Sequence, residues 1–188
     1  MGYFCNLESD IIINMKILIT GIAGTGKSTI ITELAQKGHQ IIDLDTSGTC
    51  VWVNKKTGEE TFYQEGAGSE WIEEHRWQVV TSRLVNLMSS FSQDKDIYVS
   101  GKVARKQLNE MVEIFDVIYL LKPHDLIIDE RLSTRTSNVN NFAKTKEERE
   151  VITKNRDKFE KACLEVGAIP LDNQGSLEEV ITILTTHR

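Results

Sequence analysis

The chain has 188 residues, of which 40% are hydrophobic and 27% are charged, as expected for one globular domain with a full core. A formal net charge of −6 argues against broad binding to nucleic acid or membranes, and no apolar run reaches the ~18 residues of a membrane span. The three cysteines are scattered along the chain and no signal peptide is evident, so we expect reduced thiols, a cytoplasmic protein and no disulfide or zinc framework.

A single domain is expected over 15–188, and residues 1–14 before it are an extension or tail, a mis-assigned start or an extra edge strand. The first strand is predicted at 16–20, an apolar run. Directly after it, residues 21–28 read Gly-Ile-Ala-Gly-Thr-Gly-Lys-Ser and fit the pattern G-x-x-x-x-G-K-[ST] at every fixed position. A helix predicted at 29–37 follows. This order of strand, loop and helix is the context that a phosphate-binding loop requires.

The residue types in this phosphate loop (21–28) suit the chemistry of anion binding. Glycines permit positive φ and close approach, so successive backbone N–H groups can point at a phosphate, and the next helix adds its own unpaired N–H groups. Lys27 would bring a positive charge to the β- and γ-phosphates, and Ser28 would offer a hydroxyl to Mg²⁺. The residues predicted to bind the phosphates of ATP or GTP are Gly21, Ala23, Gly24, Thr25, Gly26, Lys27, Ser28 and Thr29.

A second strand is predicted at 40–44, and Asp43-Leu44-Asp45 marks its end. Because side chains alternate along a strand, Asp43 and Asp45 would lie on one side, at the carboxyl edge where such sheets bind ligands. Asp45 is the better candidate for a base or a carboxylate near the metal. The alternative is that one of the two aspartates only terminates the strand.

The long segment from about 46 to 92 contains a predicted helix at 69–91, because its apolar residues fall on one stripe. Its three tryptophans either pack in the core or form an aromatic wall for a ring-shaped ligand, and both interpretations stay open: Trp52, Trp71 and Trp77. Arg76 and Arg83 could each meet an acidic group, and the sequence does not select between them. The four histidines lack metal-ligand spacing, so we assign them no catalytic role.

The third strand is predicted at 96–100, and Gly101 after it could line a site through its backbone. Lys102 and Arg105 would either bind an anion or be ordinary charges at the start of a helix. Further strands are predicted at 117–121 and 168–172.

Helices are predicted at 146–166 and after Ser176, each opened by a capping box. Alternating strands and helices predict an α/β fold, with a central parallel sheet of about five strands in three layers and helices on both faces.

Together these motifs resemble the small P-loop kinases of the adenylate kinase, shikimate kinase and gluconate kinase group, over about residues 15–185. The phosphate loop, the long segment between strands two and three, and the pair Arg131 and Arg135 in Glu-Arg-Leu-Ser-Thr-Arg carry the resemblance. It implies a P-loop NTPase fold with an acceptor-side region at about 46–92 and a mobile lid at about 136–147. ATP is the implied nucleotide, because no guanine-reading motif is evident.

The resemblance also implies roles for single residues. Lys27, Arg131 and Arg135 would act on the transferring phosphate, with Arg131 near the adenine and phosphates of ATP. Arg156 lies where nucleotide kinases carry a further phosphate-binding arginine, and Asn173 either approaches the adenine or is a turn residue.

On the acceptor side, the D-x-D at 43–45 resembles shikimate kinase, where the pair serves the metal and the acceptor hydroxyl. The segment 100–105 departs from the D-G-x-P-R of nucleotide kinases, which puts a nucleoside monophosphate acceptor in doubt.

The sequence therefore predicts a Mg²⁺- and ATP-dependent phosphotransferase acting on a hydroxyl or phosphate of a small-molecule acceptor. It predicts a monomer or homodimer without nucleic-acid or membrane partners. Two alternatives stay open: a nucleoside or nucleotide kinase, and a P-loop ATPase or switch protein that is not a kinase.

Overall fold

The computed structural model of the protein describes residues 14–63, 66–133 and 146–186. Its strands are β1 (Lys16–Thr20), β2 (Gln40–Asp43), β3 (Cys50–Asn54), β4 (Glu60–Thr61), β5 (His75–Val79), β6 (Ile97–Ser100), β7 (Val117–Leu121) and β8 (Ile169–Leu171). Its helices are α1 (Lys27–Gln36), α2 (Gly68–Glu74), α3 (Thr81–Ser89), α4 (Leu108–Val112), α5 (Asp125–Ser133), α6 (Lys146–Lys154), α7 (Arg156–Glu165) and α8 (Leu177–Thr186). Over these ranges, no helix combines the length and the apolar character needed to cross a membrane.

The central sheet has five parallel strands in the order β2-β6-β1-β7-β8. Parallel strands need crossovers, and helices supply them on both faces. Side chains of the middle strand β1 point alternately to the two faces of the sheet. Ile17, Leu18 and Ile19 are nevertheless all buried, so both faces of the sheet are covered. The structure confirms the predicted α/β fold with a parallel sheet of five strands.

Each face of the sheet has its own apolar core. On one face, Ile17 and Ile19 pack with Leu34 of α1 and Ile181 of α8. On the other face, Leu18 belongs to a larger core that draws side chains from α3 to α7, including Leu84, Met111, Ile128, Ile152 and Phe159. The two cores hold the carboxyl ends of the strands at one edge, where the loops of the site begin.

The helix predicted at 69–91 is wrong, because this segment forms α2, β5 and α3 in succession. Strand β5 pairs with β3 in an antiparallel sheet of order β4-β3-β5, which the sequence analysis did not predict. The apolar stripe is real only in α3, where Leu84 and Met88 are buried. Pairing with a distant strand decided the conformation of β5, and a pattern of local periodicity cannot show such pairing.

The ends of the helices follow the local signals closely. Gly38 has φ of 83° just after α1, as a helix stop requires. At the start of α8, Ser176 and Glu179 form the predicted capping box, each side chain accepting a hydrogen bond from the other residue's backbone N–H. The helix predicted at 146–166 is instead two helices, α6 and α7, which meet at Asn155. Its side chain donates to the carbonyl of Val151 and competes with the helical ladder.

Candidate active site

A cleft of about 680 Å³ opens at the carboxyl edge of the central sheet. The phosphate loop and α1 form one part of it, and the β3–β5 sheet, α6 and α7 form the rest. The predicted site residues that line this cleft are Ala23, Gly24, Gly26, Lys27, Ser28, Thr29, Asp45, Arg131 and Asn173. The fold thus brings together residues that are far apart in the sequence.

Backbone conformation shapes the phosphate loop. Gly24 and Gly26 have φ of 83° and 92°, values that only glycine adopts without strain. Thr25 turns inward, where its hydroxyl donates to the carbonyl of Ile22 at 2.9 Å. The carbonyl of Gly26 accepts the first hydrogen bonds of α1, from Thr29 and Ile30. The loop therefore ends at a helix N-terminus, which favours a bound anion.

Lys27 is folded over the loop that precedes it. Its Nζ donates to the carbonyls of Gly21 and Ile22, both at 2.8 Å. These bonds fix the ammonium group above the loop at the mouth of the cleft. A phosphate bound in the loop would therefore meet this positive charge without a large movement of the side chain.

Arg131 and Asn173 lie against the same loop from two different elements. A Cβ placed on Gly26 would lie 3.0 Å from Nδ2 of Asn173 and 3.2 Å from Nη1 of Arg131, so glycine is needed for this close approach. Nη1 of Arg131 and Oδ1 of Asn173 are both buried, and neither has a hydrogen-bond partner among the described residues. Buried unpaired polar atoms are rare in folded proteins, and here they adjoin the predicted nucleotide site. A bound nucleotide would offer partners to both.

The two aspartates of the D-x-D differ in position. Asp45 lines the cleft, whereas Asp43 accepts a hydrogen bond from the backbone N–H of Asp45 at 3.0 Å. Burial raises the pKa of Asp43, and the nearby Asp45 raises it further, while the hydrogen bond from Asp45 and the charge of Lys27 act in the opposite direction. Asp43 thus holds the turn that presents Asp45.

Oxygen donors suited to Mg²⁺ meet at this end of the sheet. Ser28 is exposed at the start of α1, and the aspartates follow the neighbouring edge of the sheet. Hydroxyl and carboxylate oxygens are the ligands that Mg²⁺ prefers, and the ion usually keeps several waters and the phosphates of a nucleotide as its other ligands. The residues present therefore fit a magnesium ion bound together with a nucleotide.

Aromatic side chains of the β3–β5 sheet form the opposite side of the cleft. We call Trp52, Tyr63, His75 and Trp77 the aromatic wall, since all four line the cleft. Trp71 supports the wall from behind, stacked on His75 with ring centroids 4.1 Å apart. The sequence analysis left the role of the tryptophans open and gave His75 none. Only the antiparallel pairing of β3 with β5, which sets Trp52 opposite Trp77, brings these rings together.

Basic side chains border the aromatic wall. Arg76 lines the cleft, whereas Arg83 forms an exposed ion pair with Glu60 at 3.2 Å on the outside. Of the two arginines between which the sequence did not select, Arg76 lines the cleft and Arg83 does not. Lys102 and Arg105 also line the cleft, and Arg105 is exposed there.

Some predicted residues lie elsewhere. Gly101 is buried behind Leu44, and a Cβ on it would come within 2.5 Å of Leu44 Cβ, so it serves packing and does not line the cleft. Arg156 is buried too, with Nε on Glu160 at 2.5 Å and Nη2 donating to the carbonyl of Pro123 at 2.8 Å. Arg156 is not among the described residues that line the cleft, and the substrate-binding role that the resemblance implies for it stays a prediction.

Other predictions cannot be placed. Arg135, nearly all of the predicted lid at 136–147 and residues 1–13 lie outside the described residues. Within the loop, Gly21 and Thr25 are buried beneath the phosphate site and shape it from below.

Comparison with known proteins gave matches among solved structures only. No family model matches the chain, and no curated protein matches it. The chain is similar to deoxyadenosine kinase from M. mycoides with bound dATP, at 17% identity and a TM-score of 0.55, over 90% of this chain and 97% of that chain. The chain has the fold of the small P-loop kinases.

Two further solved structures agree with this assignment of the fold. Shikimate kinase from Acinetobacter baumannii in complex with shikimate has 16% identity and a TM-score of 0.56, over 93% of this chain and 95% of that chain. A sugar kinase from Janibacter sp. HTCC2649 has 15% identity and a TM-score of 0.53, over 92% of this chain and 93% of that chain. Because one fold can serve several functions, this likeness shows the fold alone, and any functional proposal has to rest on the residues of the cleft.

Proposed function

We propose that the protein transfers the γ-phosphate of ATP to a hydroxyl or phosphate group on a small-molecule acceptor. One observation carries this proposal: the phosphate loop and the aromatic wall are two sides of a single cleft, with Asp45 also lining it. A protein that only hydrolyses or senses a nucleotide does not need a second binding pocket, lined with aromatic and charged side chains, beside the phosphates. A kinase needs one, because its acceptor must lie next to the γ-phosphate.

The position of each residue in the cleft indicates its proposed role in the reaction. The loop N–H groups and Lys27 would bind the β- and γ-phosphates, and Arg131 would add positive charge beside Gly26. Asp45 would accept the proton of the acceptor hydroxyl, while Asp43 holds it in place. Bound Mg²⁺, held by Ser28 and the phosphates, would neutralise charge on the transferring group. We propose that Arg135, which follows α5, also reaches this phosphate.

An acceptor screen that detects ADP release tests this function. The panel should contain nucleosides, nucleoside monophosphates, sugars and cyclic hydroxy acids, because the alternative of a nucleoside or nucleotide kinase predicts turnover with the first two only. Lys27→Met should abolish ADP release. Asp45→Asn should lower kcat by about 10²- to 10⁴-fold with a smaller change in KM, as expected for a general base. Slow hydrolysis that no acceptor accelerates would contradict the proposal and favour an ATPase or switch protein.

A further inference from the structure

The half of the cleft formed by the β3–β5 sheet and the segment after β6 has features that a nucleotide triphosphate does not require. We call it the acceptor half. From its aromatic wall and its basic side chains we infer that the acceptor is a flat, ring-shaped molecule that carries a carboxylate or phosphate group. This inference rests on the proposed function and specifies its substrate class.

The aromatic wall is held rigidly, as a stacking surface should be. His75 Nδ1 lies 2.7 Å from the carbonyl of Trp71, to which it donates, and its Nε2 lies 3.3 Å from Nδ2 of Asn54. Trp52 packs edge-on against Trp71 at 5.0 Å and lies 5.4 Å from Trp77. Ring faces fixed in this way bind another ring at little cost in side-chain entropy. The wall therefore favours a flat ring over a flexible chain.

The charges that line the cleft are almost all positive. Among the described residues they are Lys27, Lys55, Arg76, Lys102, Arg105 and Arg131, against the single carboxylate of Asp45. This excess runs against the net charge of −6 for the whole chain, so it belongs to the site and not to the general composition. Lys27 and Arg131 adjoin the phosphate loop and have the nucleotide as their counter-charge. The other four cations lie in the acceptor half, where the nucleotide does not supply a counter-charge: Lys55, Arg76, Lys102 and Arg105.

Lys102 shows most clearly that a counter-charge is missing. Its Nζ lies 5.7 Å from the ring centroid of Phe159, and within the described residues no carboxylate pairs with it or with Arg105. Burial, reinforced by the charge of Arg105, lowers the pKa of Lys102, because a desolvated ammonium beside another cation is unfavourable. An anionic group on the acceptor would supply the partner that these side chains lack.

Tryptophan fluorescence reports on this half of the cleft directly, because all three tryptophans of the chain belong to or support the aromatic wall. We would titrate the protein with two matched pairs of probes, 4-hydroxybenzoate against 4-hydroxybenzamide and cytidine 5′-monophosphate against cytidine. Each pair keeps the ring and removes the anion. We expect each anion to quench the fluorescence with an affinity about tenfold higher than its neutral partner. The pair with the larger difference distinguishes a carboxylate from a phosphate.

Three variants locate the effect. Lys102→Met keeps the length of the side chain and removes its charge, and Arg105→Gln removes the charge of an exposed residue. Both should weaken binding of the anionic probes about tenfold and leave the neutral probes unchanged. Arg83→Gln, on the outer ion pair, is the control and should change neither. Thermal unfolding of each variant checks its fold.

Two results would overturn the inference. One is equal binding of anionic and neutral probes, or no quenching by any probe at millimolar concentration. The other is an unchanged preference for anions in folded Lys102→Met and Arg105→Gln. Calorimetry with MgADP keeps the proposed function separate, because its site is the phosphate loop. If the protein binds MgADP but does not prefer the anionic probes, only this inference is contradicted. If it prefers the anionic probes but does not bind MgADP, only the kinase assignment is contradicted.

Discussion

Asn173, which follows the last strand of the sheet, donates a hydrogen bond from its side-chain amide to the backbone carbonyl of Thr25 in the phosphate loop. The two residues are 148 positions apart in the sequence. The bond holds the loop in place, and Oδ1 of Asn173 stays buried beside the predicted nucleotide site with no partner among the described residues. Sequence alone could not separate this role from that of a plain turn residue.

Two substitutions of Asn173 distinguish the effect of its hydrogen-bond donor from the effect of its side-chain size. Asn173→Ala should lower stability by about 1 kcal/mol and weaken MgADP binding a few-fold, because one buried hydrogen bond is lost. Asn173→Asp should weaken MgADP binding more, since it also sets a carboxylate beside the phosphates. Calorimetry with MgADP measures both. Equal affinities for the two variants would show that Asn173 only packs against the loop.

Gly24 and Gly38 form a matched pair, because both have φ of 83° and only Gly24 has close neighbours. Gly38→Ala should cost about 1 kcal/mol from the left-handed conformation alone and leave nucleotide binding intact. Gly24→Ala adds a Cβ that would lie 2.9 Å from Leu132 Cγ, so it should cost more and abolish MgADP binding. Urea unfolding and calorimetry test both. Similar behaviour of the two variants would contradict the tight approach of α5 to the loop.

The pKa of Asp43 predicts a pH dependence of stability. Because burial raises the pKa above its ordinary 3.8, the folded protein binds this proton more tightly than the unfolded chain does. The carboxyl is therefore most favourable to folding at low pH, and its contribution to the free energy of unfolding falls as the pH rises above 3.8. Asp43→Asn should gain stability relative to the wild type between pH 4 and pH 7, as measured by urea unfolding.

The pKa of Asp94 shifts in the opposite direction to that of Asp43, so its contribution to stability should have the opposite pH dependence. Its hydrogen bond from Ser92 lowers its pKa, so its contribution is present at neutral pH and is lost as the pH falls through the lowered value. A difference between wild type and Asp43→Asn that does not change with pH would contradict the burial of Asp43.

Substitution of Arg156 tests a structural role against the substrate-binding role that its position in the sequence suggested. Its guanidinium and Glu160 are both buried, so Arg156→Met should cost about 2 kcal/mol, because Glu160 then keeps only its ion pair with the exposed Lys122. Lys161→Met, on an exposed pair with Glu165 in the same helix, should cost less than about 1 kcal/mol. The KM for the acceptor should not change in the folded protein. A large rise in KM with normal stability would restore the substrate-binding role.

The sequence was most informative where structure depends on neighbouring residues. The phosphate loop, the parallel strands and the capping box at Ser176 have local signals, and the structure has each of them. For Arg156 a local signal was also present, because Glu160 lies four residues further along the same helix, where an ion pair forms readily. That signal favours a buried ion pair over a substrate ligand.

The acceptor half of the cleft could not be predicted because it depends on contacts between distant residues. Strand β5 was missed because its pairing with β3 is set by tertiary structure and has no local signal in the sequence. Lys102 looked like a surface charge, and only folding buries it beside Phe159. We expect these contacts between distant residues, and no single sequence motif, to determine which acceptor binds.

Binding of MgADP and of a non-hydrolysable MgATP analogue, measured by calorimetry, tests the central claim most directly. The wild-type protein should bind both with one site per chain. Lys27→Met should fold normally and bind at least tenfold more weakly, because the charge now fixed on the carbonyls of Gly21 and Ile22 is removed. Failure of the folded wild-type protein to bind either nucleotide, or equal binding by Lys27→Met, would contradict the assignment of this loop as a nucleotide site.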